Sequence, residues 1–159
     1  SSEEFYDRAL PWMKQTVHGD TADLRALAGV LQARCEVLSD IPEQVDFIDG
    51  VPDYDLGLYQ NKKMKTTPET SREALAAALP VLEGVSPWTA ETIHEALFDL
   101  ITRLEVKNGW LLFPLRVALS GKQFTPGGGI EISFGDVLAL VFLLFRPQGL
   151  FGEKIFDRV

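Results

Sequence analysis

The sequence has very little cysteine, and this shortage excludes several kinds of site. Cys35 is the only cysteine among 159 residues, so neither an internal disulfide nor a thiolate metal cluster can form. The absence of a disulfide framework is typical of a reducing compartment, and we expect a cytoplasmic location. Because Cys35 falls on an apolar helix stripe, we interpret it as a small core residue, with a reactive thiol as the alternative.

Long hydrophobic runs are also missing. The longest, Val137–Phe145, has nine residues, whereas a membrane-spanning helix needs about 20. We therefore expect no contact with a membrane. The first residues, Ser1-Ser2-Glu3-Glu4, lack the basic and apolar regions of a signal peptide and lack an initiator Met. We expect the chain to be a piece of a longer protein.

The acidic charge is confined to one part of the chain. Residues 1–60 hold 12 acidic and 4 basic residues and carry the whole net charge of −8, while residues 61–133 hold eight of each. A net negative charge disfavours a nucleic-acid partner. The neutral middle, which contains Lys62, Lys63 and Lys65, can still present a local basic face.

Apolar residues recur at helical spacing through most of the sequence. In residues 21–38 the intervals are three and four, at Leu24, Leu27, Ala28, Leu31, Cys35 and Leu38. Start signals of the cap-and-proline type predict helices at Thr67-Pro68, which should end at Gly84, and at Ser86-Pro87. Pro114 is predicted to begin a further helix that Gly121 ends. The pattern predicts an all-α fold, with Ile130–Ile132 the only short strand candidate.

Turn-forming residues divide this helical pattern. The stretch from Asp49 to Gly57 is rich in them and marks the expected boundary between two small helical subdomains. We therefore predict a helical connecting subdomain at residues 1–50 and a second helical subdomain at 58–133. Residues 134–159 form an atypical apolar C-terminal segment.

Enzyme signatures are mostly absent from the sequence. The triple glycine 127–129 follows Thr125-Pro126, so it is better explained as a hinge between helices than as a dinucleotide-binding loop. Glu91 and His94 form a single ExxH pair, whereas a di-metal carboxylate site needs two such pairs and further glutamates. We expect a solvated helix face there, with no catalytic residue and no metal ligand in this chain.

The stretch from Lys107 to Gly129 is the most informative for function. It places Arg116 among apolar residues, where an unpaired charge is costly, so the guanidinium must have a partner. One alternative is a salt bridge to an acid of the preceding helix. The other is a contact with bases or phosphates, whose paired acceptors suit the planar guanidinium fork. The residues themselves leave both open.

An ordered series of motifs resembles the C-terminal anticodon-binding region of bacterial glutamyl-tRNA synthetases. The match runs over about residues 5–132. Its motifs are Gln32–Leu38 with Ile41-Pro42-Glu43, Lys62–Lys65 with Pro68-Glu69, Trp88-Thr89 before Ile93–Leu97, Pro114–Gly121, and Pro126-Gly127. This resemblance implies a helical cage, of the class I synthetase type, that binds the anticodon stem-loop of tRNA(Glu).

The resemblance also implies partners and site residues. The parent would be a glutamate–tRNA ligase whose catalytic domain uses ATP and Mg²⁺; this segment has neither of the family's ATP motifs, so it should need no cofactor and be inactive alone. In the family the arginine of Pro-Leu-Arg lies at the anticodon surface, which favours a base contact for Arg116. We expect a monomer. The other expected tRNA-binding residues are Lys107, Asn108, Lys122, Gln123, Arg34 and Trp110, the last either a stacking platform or a buried aromatic.

Two departures from the family pattern leave a second hypothesis open. Gly128 and Gly129 stand where the family has a large apolar residue near an anticodon base. Residues 135–159 resemble instead the C-terminal end of branched-chain amino-acid transporter permeases, which suggests a chimeric terminus; the alternative is a last core helix from Asp136 to Pro147. Together with the acidic first third, the glycines motivate the rival function, a helical protein-interaction module without RNA binding.

Overall fold

A computed structural model describes residues 1–18, 24–32, 35–47 and 54–123 of the chain. Helices account for most of these residues, and the only β pairing among them is a single antiparallel bridge between Asn61 and Thr66. The predicted all-α fold is therefore confirmed. Six α-helices follow one another in the order α1 Ser2–Met13, α2 Leu24–Gln32, α3 Ile41–Gln44, α4 Pro68–Glu83, α5 Ala90–Leu104 and α6 Asn108–Ser120. Short 3-10 helices span Leu38–Asp40 and Leu56–Tyr59.

Helix α4 has the bounds that its cap signals predict. Thr67 is the N-cap, Pro68 is the first helical residue and Gly84 is the C-cap. The Thr67 and Thr70 side chains complete a reciprocal capping box, which satisfies two backbone N–H groups that the helix itself leaves unpaired. Local sequence therefore determines both ends of this helix.

Helix α5 begins later than its predicted start signal. The N-cap is Thr89, paired with Thr92 in a second capping box, whereas Ser86-Pro87 lies in the connection before it. The prediction of a start at Ser86-Pro87 was wrong because the Thr89–Thr92 pair satisfies two N–H groups where Ser86 offers one acceptor.

Helix α6 differs most from its predicted form. It begins at Asn108, so Pro114 lies in its middle, and Arg116 lies in its third turn rather than in the first turn of a short helix. Interior proline costs about 3 kcal/mol. Every residue from Leu111 to Ser120 is buried, and each apolar side chain so buried contributes about 1.5–3 kcal/mol. The free energy gained by burial on all sides therefore outweighs the cost of the interior proline. Of the two predicted bounds of this helix, only the end at Gly121 is confirmed.

Helix α2 is shorter than the apolar stripe that predicts it. Pro11 lies in the last turn of α1 without ending it, and the described part of the 21–38 stripe is helical only over α2. Cys35 follows α2 and is half-buried against the core. Burial and the nearby Asp40 carboxylate raise the pKa of its thiol, in keeping with a packing role.

The helices pack in two groups around one apolar core. In the first group α1 packs against both α2 and α3, and α4, α5 and α6 form the second group together with the 3-10 helix Leu56–Tyr59. The subdomain boundaries stay a prediction, because residues 48–53 lie outside the described residues. The predicted strand at 130–132, the glycine hinge at 127–129 and the C-terminal segment at 134–159 lie outside them as well.

Candidate nucleic-acid interface

The N-terminal end of α6 exposes polar residues to solvent. Lys107 is the N-cap in extended conformation and its side chain makes no capping bond; Asn108 is the first helical residue, and both are exposed. The first turn of α6 contains no acidic residue. Trp110 is half-buried against the core, so part of its ring is covered by protein. This end of the helix therefore presents a cation and an amide.

A short lysine-rich turn lies beside this end. We name residues 61–66 the lysine hairpin: Asn61 and Thr66 exchange two backbone hydrogen bonds of 3.1 and 3.0 Å. The Met64 N–H donates to the Asn61 Oδ1 atom at 3.0 Å, and the buried Thr66 hydroxyl donates to the Tyr59 carbonyl at 2.8 Å. These bonds fix the backbone while Lys62, Lys63 and Lys65 remain exposed.

A close approach at Gly109 holds the lysine hairpin against α6. A Cβ atom at Gly109 would lie 2.5 Å from the Met64 Sδ atom, so only glycine admits the methionine in this position. Met64 stands between Lys63 and Lys65, and Gly109 is two residues from Lys107. The contact therefore brings the hairpin against the start of α6, with exposed Lys63, Lys65 and Lys107 within two residues of it in the chain.

At the C-terminal end of α6, the cation Lys122 contacts other parts of the protein. Gly121 ends the helix in the left-handed region, with φ of 69°, and turns the chain toward the N-terminal helices. The Lys122 ammonium donates to the Glu43 carbonyl at 2.6 Å and lies 3.0 Å from the Asp46 carboxylate. It also lies 6.0 Å from the centre of the Phe47 ring. Lys122 therefore ties the end of α6 to the first group of helices.

Arg116 is completely buried within α6, with 0% of its surface exposed. Its Nη1 atom donates to the Gln123 carbonyl at 2.9 Å, and the Gln123 amide in turn donates to the Leu58 carbonyl at 2.9 Å. The Ser120 hydroxyl donates to the Arg116 carbonyl at 2.6 Å. The guanidinium therefore fixes the path of the chain just after α6.

The expected tRNA-binding residues thus fall into two sets. Lys107, Asn108 and Trp110 lie at one end of α6, and Lys122 and Gln123 lie at the other end, about 20 Å away for a 13-residue helix. Arg34 lies outside the described residues. Residue spacing alone did not reveal the protein partners of the second set, Glu43, Asp46 and Leu58, because all three are distant in sequence.

The described ranges support neither a metal site nor a membrane-spanning helix. Among them, no three His, Cys, Asp or Glu side chains come together in a way that would hold a metal ion. His94 instead stacks on Phe98, with ring centres 6.2 Å apart. No helix in the described part of the chain has the length and apolar character needed to cross a membrane.

A comparison against protein families agrees with the helical architecture. A family model described as an anticodon binding domain matches residues 4–134, most of the chain. The chain belongs to this family.

Individual relatives carry a more specific name. The chain is 53% identical over 133 residues to a glutamate--tRNA ligase of Clostridium tetani, which covers 84% of this chain and 27% of the relative. It is 45% identical to glutamate--tRNA ligases of Clostridium acetobutylicum, with the same two shares, and of Clostridium botulinum, where 84% of this chain and 28% of the relative align. The expected family resemblance is confirmed.

The chain spans only about a quarter of the length of these relatives. The family match ends at residue 134, and these relatives are ligases. The resemblance of residues 135–159 to transporter permeases therefore receives no support from them and stays a prediction.

Proposed function

We propose that this chain binds the anticodon stem-loop of tRNA(Glu) and so supports the attachment of glutamate by the catalytic domain of a longer glutamate–tRNA ligase. The family match over residues 4–134 is the observation that carries this proposal. The 53% identity to a glutamate--tRNA ligase supports the choice of glutamate and its tRNA.

The division between the two ends of α6 suggests which residues contact RNA and which position the chain. RNA loops are read by splayed bases that meet planar or amide groups, while cations hold the phosphates. We propose that Lys107 and Asn108 contact RNA directly, since both are exposed at one end. Trp110 offers a partly exposed ring for stacking. Arg34, which lies outside the described residues, remains a weaker candidate.

At the other end of α6 the proposal assigns a positioning role first. Buried Arg116 sets the backbone of Gln123, and Lys122 fixes the same turn to Glu43 and Asp46. A base contact by Arg116, which the family resemblance implies, would follow only if RNA binding opened this turn. We therefore place Arg116 as the residue that positions Gln123.

The proposed parent protein is a class I aminoacyl-tRNA synthetase of the cytoplasm. Its catalytic domain would bind ATP and Mg²⁺, and this segment would need no cofactor of its own. The chain would contact that domain and the tRNA, would act as a monomer, and would have no membrane partner.

A binding titration with two RNAs tests the proposal. The chain should retain tRNA(Glu) in a filter-binding or gel-shift assay and should retain a non-cognate tRNA more weakly at matched salt. Equal and weak retention of both RNAs would favour the rival function, a helical protein-interaction module, for which the acidic residues 1–60 are the motivation.

The absence of catalysis in this segment is tested separately. The purified chain should give no ATP–pyrophosphate exchange in the presence of glutamate and tRNA(Glu), because the matched region is 27% of the ligase and contains no ATP motif. Exchange above background would contradict this assignment without affecting the RNA titration.

A further inference from the structure

The lysine hairpin concentrates positive charge in a chain whose net charge is −8. Lys62, Lys63 and Lys65 supply three of the 15 basic residues within four positions, and residues 61–68 contain no acid. All three side chains are exposed, and none of them forms an ion pair within the described ranges. The cations are therefore available to an anionic partner.

Folding stability does not account for the position of these lysines. The Met64–Gly109 contact places them at the N-terminal end of α6, which carries the positive pole of the helix dipole. Lys107 adds a further cation there, and the first turn of α6 has no acid to offset it. Cations at this pole are electrostatically unfavourable in the free protein, and an anion would relieve that repulsion.

The hairpin is also held in place before any partner binds. Two backbone bonds between Asn61 and Thr66, the Thr66–Tyr59 bond and the Met64 contact fix its backbone. A fixed backbone with exposed lysine side chains suits a row of phosphates, because an ammonium acts as a point charge that needs no fixed orientation. Lysine can also donate to the O6 and N7 atoms of guanine, but it lacks the fixed planar fork with which arginine selects a base edge.

We propose that Lys62, Lys63 and Lys65 bind the phosphate backbone of structured RNA, with Lys107 at the edge of the same surface. This inference rests on the proposed function, since it takes the RNA to be the tRNA that the chain binds. Salt screens exposed charges beyond about 8–10 Å, so only acidic side chains nearer to the hairpin than this would oppose the contact. The surface supplies affinity without sequence preference.

The test compares two variants that remove the same charge. In the first, Lys62, Lys63 and Lys65 are each replaced by Gln. In the matched control, Arg8→Gln, Lys14→Gln and Arg25→Gln remove three exposed cations from α1, the turn after it and α2. Each protein is titrated with tRNA(Glu) and with a non-cognate tRNA over a series of salt concentrations.

The hairpin variant should bind both RNAs about tenfold or more weakly at low salt and should keep the preference for tRNA(Glu). Its plot of log affinity against log salt should be shallower by about one for each phosphate that the protein no longer neutralises. The control variant should stay close to the unmodified chain in both measurements. A decrease of the same size in both variants, or no decrease in the hairpin variant while the unmodified chain binds, overturns the inference.

Failure of the proposed function gives a different result, namely an unmodified chain that shows no preference for tRNA(Glu) or no binding at all. Thermal melting of each variant separates binding from folding. Lys65 has a left-handed backbone, with φ of 56°, so its replacement carries the greatest risk to folding. If the triple variant melts early, Lys62→Gln with Lys63→Gln alone should still weaken both RNAs and reduce the salt dependence, and no change there overturns the inference.

Discussion

The two ends of α6 use their cations in opposite ways. At the N-terminal end, Lys107 and the lysine hairpin face solvent at the positive pole of the helix. At the C-terminal end, Arg116 and Lys122 donate to carbonyl oxygens of the protein, and Lys122 pairs with Asp46. The comparison shows that cations near each other in sequence can serve the fold at one end and remain available to a ligand at the other.

The largest expected effect comes from removing the buried cation. Arg116→Ala leaves a cavity in the core beside α6 and an unpaired Gln123 carbonyl. Changes of this kind lower the free energy of unfolding by about 3–5 kcal/mol. Chemical denaturation should show this decrease in the free energy of unfolding. Arg116→Lys keeps the charge but lacks the planar fork, and we expect it to lower the melting temperature as well.

Arg116→Lys also distinguishes positioning from base reading. A positioning role predicts a lower melting temperature and weaker binding of both tRNAs, with the preference for tRNA(Glu) unchanged. Direct base reading predicts a narrowed gap between tRNA(Glu) and a non-cognate tRNA, by about 1–3 kcal/mol, with stability unchanged. The matched control is Arg103→Lys on the exposed face of α5, which should change neither quantity.

Lys122→Ala is expected to be the next largest change. The variant lacks a partly exposed ion pair, worth about 0.2–1 kcal/mol, and a hydrogen bond worth about 1 kcal/mol. A double-mutant cycle with Asp46→Ala should show coupling between the two residues. Lys122→Ala should also weaken all RNAs similarly and flatten the salt dependence if the ammonium contacts phosphate. A decrease in stability without any change in the salt dependence of RNA binding would mean that Lys122 stabilises the fold and does not contact phosphate.

Gly121→Ala tests the turn that directs Lys122 toward the first group of helices. The φ of 69° is readily available to glycine but strained for alanine, so we expect a decrease of about 1 kcal/mol in unfolding free energy. The Lys122–Asp46 coupling should decrease in the same variant. Unchanged coupling would mean that the turn does not position Lys122.

The smallest expected effect on stability is that of Gly109→Ala, at the opposite end of α6. Alanine gains up to about 1 kcal/mol of helix propensity but displaces the flexible Met64 side chain, and the two effects offset each other. Binding of both tRNAs should fall a few-fold because the lysine hairpin moves. Gly29→Ala in α2, where nothing lies within 4 Å, is the control and should only raise stability. Equal RNA affinity in both variants would show that the contact at Gly109 does not position the lysines.

The amino-acid sequence by itself determined the helical class, the bounds of α4, the end of α6 and the family resemblance. Each of the three structural features follows from local chemistry. Apolar side chains at three- and four-residue intervals need a helix to share one face, Thr67 and Pro68 satisfy or remove N–H groups at a helix start, and Gly121 accepts a left-handed backbone. The three lysines at 62, 63 and 65 were also visible as a possible basic face.

Only the tertiary structure decided where α6 begins and which of its neighbouring cations are available. Pro114 indicates a helix start locally, but burial of α6 on all sides outweighs the cost of an interior proline. The partners of Arg116 and Lys122, and the approach of Met64 to Gly109, join residues that are far apart in the chain or on opposite sides of a turn. Such contacts depend on how whole helices pack, and sequence periodicity, which reports the face of one helix, contains no information about the neighbour that covers it.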